Sequence, residues 1–329
     1  MESRVITFSK NVFLPLTTVC HNRCGYCCFR TPVRDGCIMM PSEVRHVLQQ
    51  GQMLGCKEAL FTFGERPGLE PGFLPYIRKT GYNDILEYCY EMCKTTIECG
   101  LLPHTNAGVL TYQELERLKE VNASMGLMLE TTADVPAHSR SPGKTPSIRI
   151  ETIENAGKLQ IPFTTGLLLG IGETMEDREE SLSVIAALHR RYDHIQEVII
   201  QNFCPKAGTP MENVAPVPSE EICLTIKMAR EILPGEIAIQ IPPNLADARM
   251  LIQCGVDDLG GVSPFTLDYV NPEHPWPQID ELRDLIGDAV LRERLCVYPE
   301  FIEKGWYPAH LESLIKRLEQ QLLSEGGMV

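Results

Sequence analysis

Residues 163–203 read Phe163-Thr-Thr-Gly-Leu-Leu-Leu-Gly170-Ile-Gly-Glu-Thr174, then the run Met175–Tyr192, then Ile195–Phe203. The first run is strongly apolar and stops at glycines, as a strand buried on both faces does. The second has helical spacing and gathers acids in its first turns, where carboxylates suit the positive end of a helix dipole. The third is apolar and β-branched again. A strand, a helix and a strand in about 40 residues make a crossover unit, and crossovers join parallel strands.

The same rhythm extends outward. Towards the N-terminus, strands are expected at Leu14–Cys20, Ala59–Phe63, Pro103–Asn106 and Met125–Glu130. Helices are expected at Ser42–Leu54, Asp84–Cys99, Thr111–Val121 and Ser147–Gln160. Towards the C-terminus come a helix at Ser219–Leu233, a strand at Ile237–Ile241, a helix at Asp247–Cys254 and a strand at Asp258–Val262. About eight βα units define an α/β fold, a closed (β/α)8 TIM-type barrel, with an incomplete barrel as the alternative. From Pro277 the chain reads as extra C-terminal helices with breaks near Pro299 and Pro308. No repeat or linker divides the sequence. The expectation is one domain over 1–329, with a core at about 10–265 and a helical appendage at about 277–329.

The composition sets limits on function. The chain has 329 residues, of which 43% are hydrophobic and 22% charged, so a sizeable core is expected rather than disorder. A net charge of −14 argues against nucleic acid and anionic membranes, both of which attract basic patches. No signal peptide or membrane-spanning run is recognisable, which points to the cytoplasm. Thirteen cysteines is an odd number, and without an export signal they read as free thiols in the core or as metal ligands.

Three of the thiols fall within eight residues, in Cys20-His-Asn-Arg-Cys24-Gly-Tyr-Cys27, directly after the first expected strand. A loop can wrap three close thiolates around one iron–sulfur cubane and leave one iron open for chemistry. Two alternatives stand beside this reading: Cys28 as a fourth ligand of a closed electron-transfer cluster, and a zinc site, which usually takes two ligand pairs. Cys89, Cys93 and Cys99 suggest a second cluster, but Cys89 and Cys93 share a helix face and read better as buried thiols.

Other chemical groups gather at strand ends, where barrel active sites form. Gly64-Glu65 ends the second strand, Asn106 the third and Glu130 the fourth. Asn106 is equally a turn residue, whereas Glu130 reads as a ligand for a ribose hydroxyl. The polar segment His138–Lys144 is either an exposed loop or a cover for the substrate, with His138, Ser141 and Lys144 as donors. Arg149 suits bidentate contact with a carboxylate. Gly170 and Ile171 end the fifth strand in a glycine-rich turn that lacks the Lys-Ser/Thr of a phosphate loop.

The Cys-x-x-x-Cys-x-x-Cys spacing, with Tyr26 before its last cysteine, resembles the signature of the radical S-adenosylmethionine superfamily. That resemblance implies a [4Fe–4S] cluster on Cys20, Cys24 and Cys27. S-adenosyl-L-methionine would sit on its open iron and be split to a 5′-deoxyadenosyl radical. It also implies that Gly64-Glu65 meets the methionine amino group and that Gly170 and Ile171 pack beside the adenine.

Further segments narrow the resemblance to one family. Leu60–Glu65, Ser124–Glu130, His138–Lys144, Ile161–Gly166, Gln201–Phe203, Ile241–Leu245, Asp257–Pro264, Asp268–Pro272 and Pro275–Pro277 look like the CofG family, which makes the deazaflavin FO (7,8-didemethyl-8-hydroxy-5-deazariboflavin). The implied substrate is 5-amino-5-(4-hydroxybenzyl)-6-(D-ribitylimino)-5,6-dihydrouracil. Hydrogen abstraction, ring closure and ammonia loss would make the enzyme a carbon–nitrogen lyase. The implied partners are the sister enzyme CofH and a reducing flavodoxin or ferredoxin. The alternatives are a CofH-type or menaquinone-pathway radical enzyme and, in another class, a non-catalytic iron–sulfur protein. Cys28 and Gly68 depart from the family pattern, where a residue such as Thr and an acid are expected.

Overall fold

The computed structural model describes residues 4–326 and closes eight parallel strands into a ring. The strands are β1 (Val5–Leu14), β2 (Glu58–Thr62), β3 (Leu102–Asn106), β4 (Ser124–Gly126), β5 (Phe163–Leu169), β6 (Ile195–Asn202), β7 (Ala238–Gln240) and β8 (Asp258–Val262). Each pairs with its successor, and β1 pairs with both β2 and β8, so the barrel is shut. The helices are α1 (Pro41–Met53), α2 (Phe73–Ile77), α3 (Ile85–Glu98), α4 (Tyr112–Lys119), α5 (Pro146–Lys158), α6 (Met175–Tyr192), α7 (Ser219–Ile232), α8 (Ala248–Ile252), α9 (Ile279–Ile286), α10 (Pro299–Glu303) and α11 (Glu312–Gly326). The main core lies between the strands and the helix ring and includes Phe61, Phe163, Ile185, Ile226 and Leu251. Each such side chain, fully buried, contributes about 1.5–3 kcal/mol.

The helix starts follow from their caps. Asp84 accepts hydrogen bonds from the Leu86 and Glu87 amides, and Thr111 and Thr174 open α4 and α6 with capping boxes to Glu114 and Asp177.

Three local expectations change. The first strand is Val5–Leu14, not Leu14–Cys20. Its alternating polar residues hide it, because Thr7 and Ser9 bond Asp258 and Glu58 on the neighbouring strands β8 and β2. Beyond Leu14 the chain is held by isolated bridges from Thr17 to Ile38 and from Val19 to Thr31. The appendage is not all helix: β9 (Val290–Glu293) runs parallel to the first half of β1. Its four residues are too few and too exposed to show in an apolar pattern. Finally, two cysteines read as packing, Cys223 on α7 and Cys254 just after α8, form a disulfide. Thiols 31 residues apart in sequence give no pairing signal of their own.

The C-terminal segment closes one end of the barrel. Leu295, Val297, Phe301, Leu311 and Ile315 pack with Leu102 and Ala123 in a second apolar cluster beneath the strand starts. Residues 327–329 of the expected appendage lie outside the described residues. Among the described residues no helix is long and apolar enough to cross a membrane.

Candidate active site

A cavity of about 390 Å³ runs from the loop after β1 down the lumen to Arg294. Cys20, Cys24 and Cys27 all line it, with Asn22, Tyr26, Phe29, Gly64 and Glu65. Cys28 does not; it is exposed, and its thiol approaches the Val270 carbonyl at 3.6 Å. Cys89 and Cys93 are buried on α3 near the Thr105 hydroxyl, at 3.9 and 3.7 Å, away from the cavity.

The donor set fits a cluster better than a single ion. Among the described residues, the trio of His, Cys, Asp or Glu groups with ligand atoms within 4.8 Å of one another is His189, Asp193 and Glu236, not the cysteines. Zinc holds sulfur at about 2.3 Å, which sets tetrahedral sulfurs about 3.8 Å apart. The three thiols are spread too widely for that and suit a larger polynuclear group. Burial pushes the Cys20 thiol up to about 12, with Glu65 and Cys27 adding to the rise against amide hydrogen bonds. A thiolate there therefore needs a positive partner.

The loop is held from several sides. Gly64 is required by space: a Cβ there would lie 1.9 Å from the Val19 carbonyl oxygen. The Glu65 amide donates to Cys20 Sγ at 3.2 Å. The Glu65 carboxylate accepts from Asn22 Nδ2 at 2.8 Å and the Val109 amide at 3.1 Å, and Arg149 Nη1 lies at 3.4 Å. Ser141 Oγ accepts from the Arg23 amide and donates to Cys24 Sγ at 3.3 Å. Glu70 binds His21 Nδ1 at 2.9 Å, with Arg23 and Arg30 within 3.8 Å.

Glu130 is the centre of the second group. It is buried with φ +69°, a left-handed conformation uncommon for a non-glycine residue. Tyr26 donates to it at 2.6 Å, His138 Nε2 lies at 3.0 Å, Lys144 donates to Oε1, and Arg149 Nη2 is 3.8 Å away. Burial opposes its charge, but Lys144, His138 and Arg149 outweigh burial and hold the carboxyl well below its ordinary range. Burial likewise opposes the charge of Lys144, and so does Arg149. Glu130, Cys24 and Glu65 still hold it above the usual amine range. Burial, and then Glu130, keep Tyr26 protonated.

His138, Ser141 and Lys144 are thus brought together against the cysteine loop. The segment is two short 3-10 turns, Pro136–His138 and Pro142–Lys144, rather than a free loop. Arg149 is buried and already donates to the Met128 and Gly143 carbonyls. Gly170, at φ +91°, and Ile171 do not line the cavity. Their amides donate to the Glu173 carboxylate, each at 2.8 Å, and Arg178 fixes that carboxylate. Ile171 packs with Val135, Leu168 and Phe203 in a small apolar cluster against Tyr26. Asn106 stands deeper, where its Oδ1 meets His104 Nε2 at 3.2 Å.

Sequence reasoning missed the floor. Arg294, just past β9, binds Asp258 at 2.6 and 2.8 Å and Glu197 at 3.0 Å inside the barrel. Burial pushes Glu197 up to about 8, with Asp258 adding to the rise and Arg294 opposing it. Glu58 and Asp258 open β2 and β8 with an acid and Glu197 stands inside β6, and an acid at such a place in a strand was the available signal.

A parallel barrel with three cysteines at its mouth and an unblocked cavity below them defines a class of protein, and the comparisons agree. Residues 14–185 match the Radical SAM superfamily. The fold resembles the FeFe-hydrogenase maturase HydG from Carboxydothermus hydrogenoformans, with TM-score 0.69 and 17% identity over 97% of this chain and 82% of that one. It also resembles methylornithine synthase, with TM-score 0.63 and 16% identity over 94% and 86%. The chain is 69% identical to the 7,8-didemethyl-8-hydroxy-5-deazariboflavin synthase of Methanoculleus marisnigri over 99% of this chain and 98% of that one. It is 52% identical to the enzyme of the same name from Archaeoglobus fulgidus over 95% and 97%. The protein belongs to the radical SAM superfamily and, within it, to the 7,8-didemethyl-8-hydroxy-5-deazariboflavin synthase family.

Proposed function

We propose that this protein makes the deazaflavin FO from 5-amino-5-(4-hydroxybenzyl)-6-(D-ribitylimino)-5,6-dihydrouracil, closing the central ring and releasing ammonia. The carrying observation is the trio Cys20, Cys24 and Cys27 lining one lumen cavity, in a chain this similar to the M. marisnigri synthase. These cysteines would hold a [4Fe–4S] cluster which, with S-adenosyl-L-methionine bound, supplies a 5′-deoxyadenosyl radical beside the substrate.

The protein's own residues position and shield. Asn22, Glu65, Glu70 and Ser141 fix the cysteine loop, so the three sulfurs are arranged before ligands arrive. Tyr26, Gly64, Glu65, Glu130 and Arg149 form the wall facing the methionine and ribose groups. Lys144 and Arg149 set two cations against Glu65 and Glu130, a balance that accepts a zwitterion. Gly170 turns the chain after β5, and Ile171 backs the nucleoside from behind the cavity wall through the apolar cluster with Leu168 and Phe203. Burial of these groups excludes water from a reactive radical.

We infer that the chain is one domain, because the C-terminal segment supplies the barrel floor. We also place it in the cytoplasm, with transient contacts to CofH and to a flavodoxin or ferredoxin. The test is anaerobic: reconstituted, reduced protein with S-adenosyl-L-methionine and the adduct should release fluorescent FO, ammonia, methionine and 5′-deoxyadenosine. Cleavage of S-adenosyl-L-methionine without FO would refute the substrate. A reduced-cluster paramagnetic signal unchanged by S-adenosyl-L-methionine would favour a non-catalytic iron–sulfur protein.

A further inference from the structure

The lumen below the cysteines is unusual for a parallel barrel. Such interiors are ordinarily packed with branched apolar residues. Here four of the carboxamides that line the cavity stand on the strands themselves: Asn11 on β1, Asn106 on β3, Gln201 on β6 and Gln240 on β7. Asn11 is 2% exposed and Gln240 9%. Among the described residues, the side chains of Asn11, Gln201 and Gln240 have no hydrogen-bond partner, and Asn106 uses only its oxygen, towards His104. The unpaired amide groups open on the cavity rather than being sealed in the core, so they are free to pair with a ligand.

Glycines make room for three of the four. A Cβ at Gly261 would lie 2.1 Å from Asn11 Nδ2, one at Gly260 2.1 Å from Gln240 Nε2, and one at Gly126 2.3 Å from Asn106 Oδ1. Each of these three carboxamides therefore occupies the space that a side chain at the glycine would fill. Gly260 has φ +71°, but Gly126 and Gly261 have no positive φ, so for those two the demand is space rather than backbone freedom.

Charge defines what fits. Arg294 is saturated by Asp258 and Glu197, and Glu58 adds a third acid at the floor. Lys144 and Arg149 are committed to Glu130 and Glu65 near the mouth. Among the described residues no free Lys or Arg faces the middle of the lumen, so a phosphate dianion there would meet carboxamides, hydroxyls, the His104 ring and acids, with no fixed positive charge to balance it.

We propose that Asn11, Asn106, Gln201 and Gln240 form the substrate-recognition site, built for a neutral ligand rich in hydroxyl and imide groups and closed to its phosphate ester. Amides donate and accept, so they pair with hydroxyls and with the alternating N–H and C=O of a uracil ring. The assignment rests on the functional reading above for the identity of the adduct, whose ribityl and dihydrouracil parts are of this chemistry. It moves Asn106 from the S-adenosyl-L-methionine site to the substrate site.

The test uses reconstituted holoenzyme with Gln240→Met and Gln201→Met, near-isosteric changes that remove the amide. Equilibrium binding of the adduct and FO formation are read separately, with iron content and melting temperature as folding checks. Each variant should weaken adduct binding and raise its KM about five- to tenfold, with iron content unchanged. The adduct phosphorylated on its ribityl chain should not compete at tenfold excess. Unchanged binding in both variants, or competition by the phosphate ester equal to that of the parent, overturns the assignment. Wild type that binds the adduct and forms no FO refutes the functional reading and leaves the site standing. Wild type that forms FO while both variants bind as tightly does the reverse.

Discussion

Gly64→Ala is the sharpest probe of how the cysteine loop is positioned. The new methyl would lie 1.9 Å from the Val19 carbonyl oxygen, 2.5 Å from the Val19 carbonyl carbon and 2.9 Å from Cys20 Cβ. Two of these neighbours are backbone, so no rotamer change relieves the clash. Carbon contacts are most favourable at about 3.5–4.0 Å, so the end of β2 and the loop must part by at least about 1 Å. A misplacement of that size at a reacting centre costs about 100-fold in rate, and overpacking costs about 1–3 kcal/mol of stability. The assay compares iron per chain, FO formation and melting temperature with Gly235→Ala, where an added Cβ meets nothing within 4 Å. The expected result is depleted iron and about 100-fold less FO for Gly64→Ala, with Gly235→Ala like wild type. Full iron and near-normal FO in Gly64→Ala would refute the reasoning, because the loop would then not depend on that close approach.

Other expectations follow from single groups. Burial holds His194 at about 3, below the 6.5 of the free side chain. Its folded value is depressed, so its stabilising contribution is complete above about pH 6.5 and is lost as pH falls towards 3. Between pH 7.5 and 5 that loss is about 2 kcal/mol; urea melts of His194→Gln should show a slope shallower than wild type by that amount, and parallel slopes would count against it. Lys144→Met leaves Glu130 buried with its main counter-charge removed and should cost about 3–5 kcal/mol. Adding Glu130→Gln should restore part of that stability in thermal melts, and strict additivity would disprove the pairing. Cys24→Ala should abolish the cluster's visible absorbance, while Cys28→Ser and Cys93→Ala keep it, because neither of those thiols lines the cavity.

The barrel was legible because its strands and helices carry strong periods. Phe163–Leu169 and Met175–Tyr192 stand within a residue of their expected limits. The cysteine loop was legible because three thiols close in sequence are rare without a reason. What the pattern hid was polarity turned inward. β1 alternates Thr7 and Ser9 with apolar residues and then reads Lys10-Asn11, which resembles a half-exposed strand, yet Thr7 and Ser9 bond buried acids and Asn11 lines the lumen. Glu173, Asn22 and Glu70 gave no signal, because each works through a partner distant in sequence or through backbone amides. The disulfide between Cys223 and Cys254 depends on how α7 and α8 pack, which spacing does not encode.

Arg294, held by Asp258 and Glu197, and the apolar cluster beneath it close the lumen at the strand starts, away from the cysteine loop. Traffic must then be sequential. A molecule seated among the lumen carboxamides lies behind whatever occupies the cysteine loop, so it enters first and departs last. Methionine and 5′-deoxyadenosine must clear the doorway before the finished chromophore can follow. The proposed sites therefore predict compulsory-order kinetics, with excess S-adenosyl-L-methionine inhibiting when it arrives ahead of the slower guest; random-order steady-state kinetics would count against them.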